Sequence, residues 1–125
     1  MNIRHFRELI VWQKAVELAM EVFELTKSFP PEERYSLLDQ VRRSSRSVPA
    51  NIAEAWRKRC YPAAFVSKLN HAEGEAAETQ THLEIALRCR YLSEGDFKRL
   101  DAGYEEVLAT LTTMAAHPDQ WTIRP

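Results

Sequence analysis

The chain has 125 residues and a mass of 14.5 kDa, the size of one ordinary domain. Hydrophobic residues make up 45% and charged residues 28%, which excludes intrinsic disorder, and no apolar run is long enough to span a membrane. The N-terminus lacks the apolar segment of a signal peptide, and Cys60 and Cys89 are too few for a disulfide framework. We therefore expect one cytoplasmic domain over residues 1–125, with both thiols reduced and no cofactor.

The first predicted helix runs from about Phe6 or Val11 to Ser28, where apolar residues recur at alternating steps of four and three. A second apolar row lies about 100° around the same helix, so the apolar face is wider than a bundle helix needs. Two interpretations stay open: the helix lies at the centre of a monomer core, or the second row packs against another subunit. This row, the candidate oligomer interface, consists of Trp12, Val16, Ala19 and Phe23.

A second helix is predicted from about Pro31 to Arg59, because two prolines end the first helix and Pro31 suits a first helical turn. Pro49 lies inside this second helix, where its missing N–H removes one backbone hydrogen bond. We expect a kink at Pro49, and the alternative is two helices with Ser47 capping the second.

Two polar residues follow Pro49 closely. Asn51 and Glu54 either brace the kink, with Asn51 bonding a freed carbonyl and Glu54 pairing with an arginine, or line a pore or groove. The structural interpretation is favoured.

The third predicted helix, from about Pro62 to Tyr91, has the most regular heptad pattern, and its small residues between 72 and 77 allow a neighbouring helix to approach. A fourth helix follows Ser93 as N-cap and ends near His117, which leaves residues 1–5 and 118–125 as irregular tails. Four helices without a strand pattern predict an all-α, antiparallel, up-down-up-down four-helix bundle. The heptad positions of the third helix are Phe65, Leu69, Ala72, Ala76, Thr79, Leu83 and Ala86.

The net charge of −1 is unevenly distributed. Residues 39–70 hold seven bases against two acids, a net +5, whereas residues 71–125 hold five bases against ten acids. Arginine side chains match phosphate oxygens well, so the basic segment predicts RNA or DNA binding, with Trp56 and Tyr61 as the aromatic residues that could stack on bases. The candidate nucleic-acid-binding residues are Arg42, Arg43, Arg46, Arg57, Lys58, Arg59 and Lys68.

A second interpretation of these bases needs no nucleic acid. The arginines could be solvated, or could pair with Asp39, Glu54 or the acidic segment of another subunit. The chain would then be a protein–protein scaffold or interaction module in which basic and acidic segments meet.

Catalysis and metal binding have little support in the sequence. His71, Glu75, Glu78 and His82 share one helical stripe, but no second Glu/His copy exists to complete a di-iron site. No Gly-rich phosphate loop and no Gly-x-Ser-x-Gly motif is present. We therefore expect no catalytic residue, no metal site and no enzymatic activity.

The middle of the chain resembles a known family. The segments DQVRRSSRSVPANIAEAWRKR and FVSKLNHAEGEAAETQTHLEIALRCRYL are similar to the four-helix-bundle family encoded in intervening sequences of bacterial large-subunit ribosomal RNA genes. The opening ELIVWQKAVELAMEVFELTKSFPPEERYSL also resembles that family's first helix. One departure is Ala55-Trp56, where the family usually has glycine. The most specific positions are Gln40, Arg42, Arg43, Ser47, Pro49, Asn51, Ile52, Ala53 and Glu54.

The resemblance implies a homo-oligomer, commonly a ring of five subunits, without catalytic activity. Relatives of the family include the accessory protein of diversity-generating retroelements, a basic barrel that binds nucleic acid and a reverse transcriptase. We therefore expect a non-catalytic homopentamer that binds nucleic acid through the basic face of its second helix.

Overall fold

The computed structural model describes residues 2–123, and within them the predicted all-α four-helix bundle is confirmed. In the described part of the chain, four α-helices follow one another, and one-turn 3₁₀ segments lie at Phe6–Glu8, Pro31–Glu33 and Pro118–Gln120. The helices are α1 (Ile10–Thr26), α2 (Leu37–Arg57), α3 (Pro62–Arg88) and α4 (Glu94–Ala116).

Cross-helix contacts show that neighbouring helices run antiparallel. Ser44 of α2 contacts Thr79 of α3, and Glu54, further along α2, contacts Lys68, which lies earlier in α3. The same reversal joins α3 to α4 and α1 to α4, through the pairs Gln80–Asp101, Glu73–Thr112, Lys14–Glu106 and Glu21–Arg99. The interface between α2 and α3 is the most extensive of these, and that between α1 and α4 the least.

The predicted apolar rows form the core. Every heptad position of α3 is buried, which confirms the period read from the sequence. In α4 the row from Leu100 to Met114 is also buried, while Phe97 is half-buried. Burial of these rows against α1 and α2 supplies the main driving force for folding.

The ends of α1 and the start of α2 differ from the prediction. Leu9 has an extended backbone, which separates a 3₁₀ turn capped by His5 and Glu8 from α1. Pro31 begins a separate 3₁₀ turn rather than α2, so the expected start of the second helix is wrong by six residues. From Leu37, α2 continues through Pro49 without a break, and the two-helix alternative is therefore wrong. The kink at Pro49 stays a prediction.

The junction of α3 and α4 is built from two different caps. Arg90 has a positive φ of 65°, and the N–H of Tyr91 donates to the Ala86 carbonyl at 2.9 Å, a Schellman-type ending that stops α3 at Arg88 instead of Tyr91. The Ser93 hydroxyl accepts from the Asp96 N–H at 3.1 Å, which confirms the predicted N-cap of α4.

Both terminal segments meet the same end of the bundle. The N–H of Ile123 donates to the Arg59 carbonyl at 3.0 Å, and Phe6 packs on Trp12. Positions 1, 124 and 125 of the predicted tails lie outside the described residues. No helix within residues 2–123 is both long and apolar enough to cross a lipid bilayer.

Candidate nucleic-acid interface

The exposed face of α2 presents a row of basic side chains. Arg43, Arg46 and Arg57 are exposed, and the helical period places all three on one face with the small Ala50 and Ala53 between them. Arg46 and Arg57 are separated by three helical turns, about 16 Å at 1.5 Å per residue. The predicted basic row is therefore a continuous surface along α2, which we call the α2 basic face.

Arg42 faces α1 instead. Its Nε donates to the Thr26 hydroxyl at 2.8 Å and its Nη2 donates to the Phe23 carbonyl at 3.2 Å, while its guanidinium lies 4.6 Å from the centre of the Phe23 ring. These partners lie in the last turns of α1, where a positive charge is favourable. Two nitrogen donors of the predicted binding residue Arg42 are therefore occupied by hydrogen bonds to the C-terminal end of α1.

Arg59 also makes contacts within its own chain. Its guanidinium lies 3.5 Å from the centre of the Trp56 ring, and its Nε donates to the Trp56 carbonyl at 2.9 Å. Burial, and then the nearby charge of Arg57, lower the pKa of Arg59, although a guanidinium stays charged at neutral pH. Trp56 is only 4% exposed and lies under this guanidinium, so the expectation that Trp56 could stack on bases is wrong; Tyr61 is 65% exposed.

The remaining basic residues differ in their ionic partners. Lys68 pairs with Glu54 at 3.2 Å, so Glu54 pairs with a lysine rather than with the expected arginine, and Arg43 lies 3.7 Å from Asp39. Within residues 2–123, no carboxylate approaches Arg46, Arg57 or Lys58 closely enough to form an ion pair. Arg46 and Arg57 are therefore the unpaired cations of the α2 basic face, and Lys58 adds a third directly after α2.

The polar residues beyond Pro49 brace the helix. The Asn51 amide donates to the Ser47 carbonyl at 2.9 Å and contacts the Ser47 hydroxyl at 3.1 Å. The bonded carbonyl is that of Ser47, whereas the one freed by Pro49 belongs to Ser45. Asn51 therefore supports α2 two residues away from the position expected.

The candidate oligomer interface borders the α2 basic face. Ala19 is buried within the chain, and Trp12, Val16 and Phe23 are half-buried. Trp12 packs edge-on against Phe6 with ring centres 5.4 Å apart, and Phe23 lies beneath Arg42 and Lys27. The predicted interface row is thus adjacent to the predicted nucleic-acid-binding residues Arg42 and Arg46.

Sequence periodicity missed two sets of residues. Ile10 and Met20, on the part of α1 outside the candidate interface, are 81% and 55% exposed. Arg4 and Phe6 lie close to Arg57, although the first helix was predicted to begin only at about Phe6 or Val11 and the row of candidate basic residues began at Arg42.

The predicted polar stripe of α3 does not converge into a cluster. His82 Nε2 lies 3.5 Å from a Glu78 carboxylate oxygen, and the Nδ1 atom of His82 is buried without a partner in the described part of the chain. Among residues 2–123, no three His, Cys, Asp or Glu side chains are placed to share a metal ion. That the protein needs no metal stays a prediction.

Comparison with known proteins places this bundle among relatives. The family model for the 23S rRNA-intervening sequence protein matches residues 7–113, which include α1, α2, α3 and most of α4. The chain is similar to the 1.70 Å crystal structure of a protein with unknown function from the S23 ribosomal protein family of Bacteroides thetaiotaomicron. The two are 30% identical, with a TM-score of 0.78 over 86% of this chain and 96% of that one. No curated protein matches the chain.

Proposed function

The chain belongs to the 23S rRNA-intervening sequence protein family, and we propose that it binds nucleic acid, without catalysis, through the α2 basic face. One observation supports this most directly: Arg46, Arg57 and Lys58 are exposed together and have no ionic partner among residues 2–123. Arg43, by contrast, lies 3.7 Å from Asp39.

The dimensions of the α2 basic face suit a nucleic-acid backbone. The phosphates of one duplex strand advance by about 3.4 Å per nucleotide along the helix axis, so a length of about 16 Å corresponds to roughly five nucleotide steps along that axis. The alanines between the arginines have small side chains, so a nucleic-acid backbone can approach the guanidinium groups without a steric clash. Arginine can hold each phosphate with two parallel hydrogen bonds.

The distribution of acids favours the same surface. Residues 71–125 hold ten acids against five bases. Among them, Asp96 and Glu84 pair with local arginines and Glu106 pairs with Lys14. A polyanion would therefore be attracted to the α2 side of the bundle and repelled from the α4 side.

A salt titration tests the proposal. Binding of a labelled single-stranded RNA to the wild type should weaken steeply with salt, because each neutralised phosphate releases counterions. The triple variant Arg46→Ala, Arg57→Ala, Lys58→Ala should lower affinity at least tenfold and make the log–log slope about 2 units shallower. Single-stranded DNA measured in parallel separates RNA preference from general phosphate binding.

A matched control removes the same charge elsewhere. Arg34, Arg88 and Lys98 are exposed at the opposite end of the bundle, and their triple alanine variant should keep most of the affinity. Equal losses in both triple variants, or affinity that salt does not change, would refute binding at the α2 basic face.

We also propose that the chain forms a closed homo-oligomer, for which the family resemblance suggests five subunits. The exposed side chains of Ile10 and Met20, together with the half-buried row from Trp12 to Phe23, support contact between copies. Native mass spectrometry should give five times the 14.5 kDa chain mass. A monomer in dilute solution would contradict this proposal.

The salt dependence of the oligomer also distinguishes nucleic-acid binding from the alternative function. If the chain is a protein–protein scaffold that joins basic to acidic segments, high salt should dissociate the oligomer itself. If apolar contacts hold the copies together, the oligomer should survive the salt that releases RNA.

A further inference from the structure

A pocket lies at the end of the bundle where α2 turns into α3. Three segments enclose it: the N-terminal residues before α1, the last turn of α2 with the following turn, and the C-terminal tail. Its volume is about 260 Å³. It is lined by Arg4, His5, Phe6, Trp56, Arg57, Arg59, Cys60 and Ile123.

The charges that line this pocket all have the same sign. Arg4, Arg57 and Arg59 all line it, and the lining residues in the described part of the chain include no Asp or Glu. The nearest acidic side chain on the N-terminal segment, Glu8, accepts hydrogen bonds from the backbone N–H groups of Arg4 and His5, both at 2.8 Å. The positive charges of the three lining arginines are therefore not offset by an acidic residue of the described lining.

Two features hold one of these arginines in place. Trp56 supports the Arg59 guanidinium from below, and the Trp56 carbonyl accepts only its Nε–H, which leaves the terminal nitrogens of the fork to face a ligand. The C-terminal tail is fixed beside it, because the Ile123 N–H donates to the Arg59 carbonyl. The arginine is thus positioned before any ligand arrives, which lowers the entropic cost of binding.

We propose that this pocket binds a phosphate dianion, either inorganic phosphate or the phosphomonoester at the end of a nucleic acid. A dianion offsets the charge of three guanidinium groups better than a backbone phosphodiester, which carries one charge. A concave site also accepts a terminal group more readily than the middle of a strand. The pocket shares Arg57 with the α2 basic face but does not depend on that surface binding RNA.

Nuclear magnetic resonance of the arginine Nε–H groups tests the proposal directly. Inorganic phosphate is titrated at constant ionic strength, with chloride as the balancing anion. The resonances of Arg57 and Arg59 should shift and saturate. Arg4→Gln and Arg57→Gln should each weaken phosphate binding at least fivefold, and both replace exposed side chains, so circular dichroism should report an intact fold.

Two matched variants control for general electrostatics. Arg34→Gln, at the other end of the bundle, and Arg46→Gln, on the α2 basic face but outside the pocket, should leave phosphate binding unchanged. Shifts that rise linearly without saturation, or equal weakening by Arg34→Gln, would overturn the proposal.

Oligonucleotides then identify the source of the phosphate. An RNA with a 5′-phosphate should displace inorganic phosphate if the pocket receives a nucleic-acid end, whereas the same RNA with a 5′-hydroxyl should not. If neither RNA displaces it, inorganic phosphate is the ligand. Phosphate that saturates the pocket while neither RNA binds with salt dependence would refute the α2 basic face alone and leave the pocket intact.

Discussion

The Thr79 hydroxyl lies 2.8 Å from the Ser44 hydroxyl, inside the interface between α2 and α3. Both residues are fully buried, and each oxygen also reaches a carbonyl of its own helix, that of Glu75 at 2.9 Å and that of Val41 at 3.3 Å. A hydrogen-bonded pair inside an otherwise apolar contact favours one register of the two helices, because a shift breaks the bond between the hydroxyls and leaves each with only the carbonyl of its own helix.

Removing either hydroxyl should therefore destabilise the bundle. Ser44→Ala and Thr79→Val should each lower the free energy of unfolding by about 1–2 kcal/mol, since the partner loses a buried hydrogen bond. In the double variant the losses should not add, with a coupling energy of about 1 kcal/mol. Urea unfolding of the four proteins measures this coupling; full additivity would show that the contact contributes nothing.

Replacing Arg42 should lower the stability of the protein more than replacing its exposed neighbour Arg43. Arg42→Ala removes two hydrogen bonds to the end of α1 and uncovers the Phe23 ring, and should cost about 2 kcal/mol of unfolding free energy. The matched variant Arg43→Ala breaks only an exposed pair with Asp39 and should change stability by less than about 0.5 kcal/mol. Thermal unfolding compares the two; equal effects would contradict the structural role of Arg42.

Arg90 should be a site where glycine stabilises the fold. The residue has a φ of 65°, which costs a non-glycine residue about 1 kcal/mol. Arg90→Gly should raise the free energy of unfolding by about 0.5–1 kcal/mol, partly offset by the greater freedom of glycine in the unfolded chain. Arg88→Gly, inside the last turn of α3, is the control and should destabilise the protein.

Tyr104 presents a different case, because its hydroxyl is buried without a hydrogen-bond partner among residues 2–123. Burial, and to a smaller extent the charge of Glu21, raise the pKa of this hydroxyl. Tyr104→Phe should leave stability unchanged or raise it by up to about 1 kcal/mol, since no bond is lost and a desolvated group is removed. A clear loss of stability in chemical unfolding would reveal a partner for the hydroxyl.

The contact between Tyr91 and Glu33 predicts a pH dependence. The Tyr91 hydroxyl donates to the Glu33 carboxylate at 3.0 Å, which raises the pKa of Tyr91 to about 12. The unfolded chain loses this proton near pH 10, so the contribution of the contact is complete below pH 10 and is lost as the pH rises towards 12.

The same contact also affects stability in acid, where its contribution is lost as the pH falls rather than as it rises. Hydrogen bonds from Ser36 and then Tyr91 lower the pKa of Glu33, so its contribution is present above the ordinary glutamate pKa and is lost as the pH falls through the lowered value. Glu33→Gln should return the Tyr91 pKa towards 10, as measured by tyrosinate absorbance. An unchanged titration in that variant would disprove the assignment to Glu33.

The helices were predictable where a regular period meets a simple environment. Residues such as Phe65, Leu83 and Leu111 follow the heptad and are buried, because an amphipathic helix in a bundle buries its apolar stripe in only one orientation. Helix ends were less predictable, because Leu9 and Arg90 change the backbone through conformations that side-chain pattern does not encode.

Close helix approach was expected at the small residues of α3, and it is not confined to them. Ala72 and Ala76 are fully buried in α3, whereas Gly74 is exposed and has open space around it. A further close approach lies in α4, where a Cβ on Gly103 would come within 2.6 Å of the Leu18 side chain. A small residue permits close contact only if tertiary structure turns it towards a neighbour.

The candidate site was predictable as a set of charges but not as a set of roles. Spacing placed Arg42 and Arg46 one turn apart on a basic helix. Whether a guanidinium faces solvent or bonds the end of a neighbouring helix depends on contacts with residues about 20 positions away in sequence, such as that of Arg42 with Phe23. The pocket beside Arg59 depends on both ends of the chain and has no local signal at all.

The anchoring of α1 by Arg42 has an evolutionary consequence. Selection for folding alone will retain an arginine there in descendants of this chain, whatever molecule they bind or even if they bind none. Comparing relatives at this position therefore says little about ligands. Arg46, Arg57 and Lys58 are exposed and make no ion pair among residues 2–123, so these positions should change together if the proposed nucleic-acid binding is gained or lost.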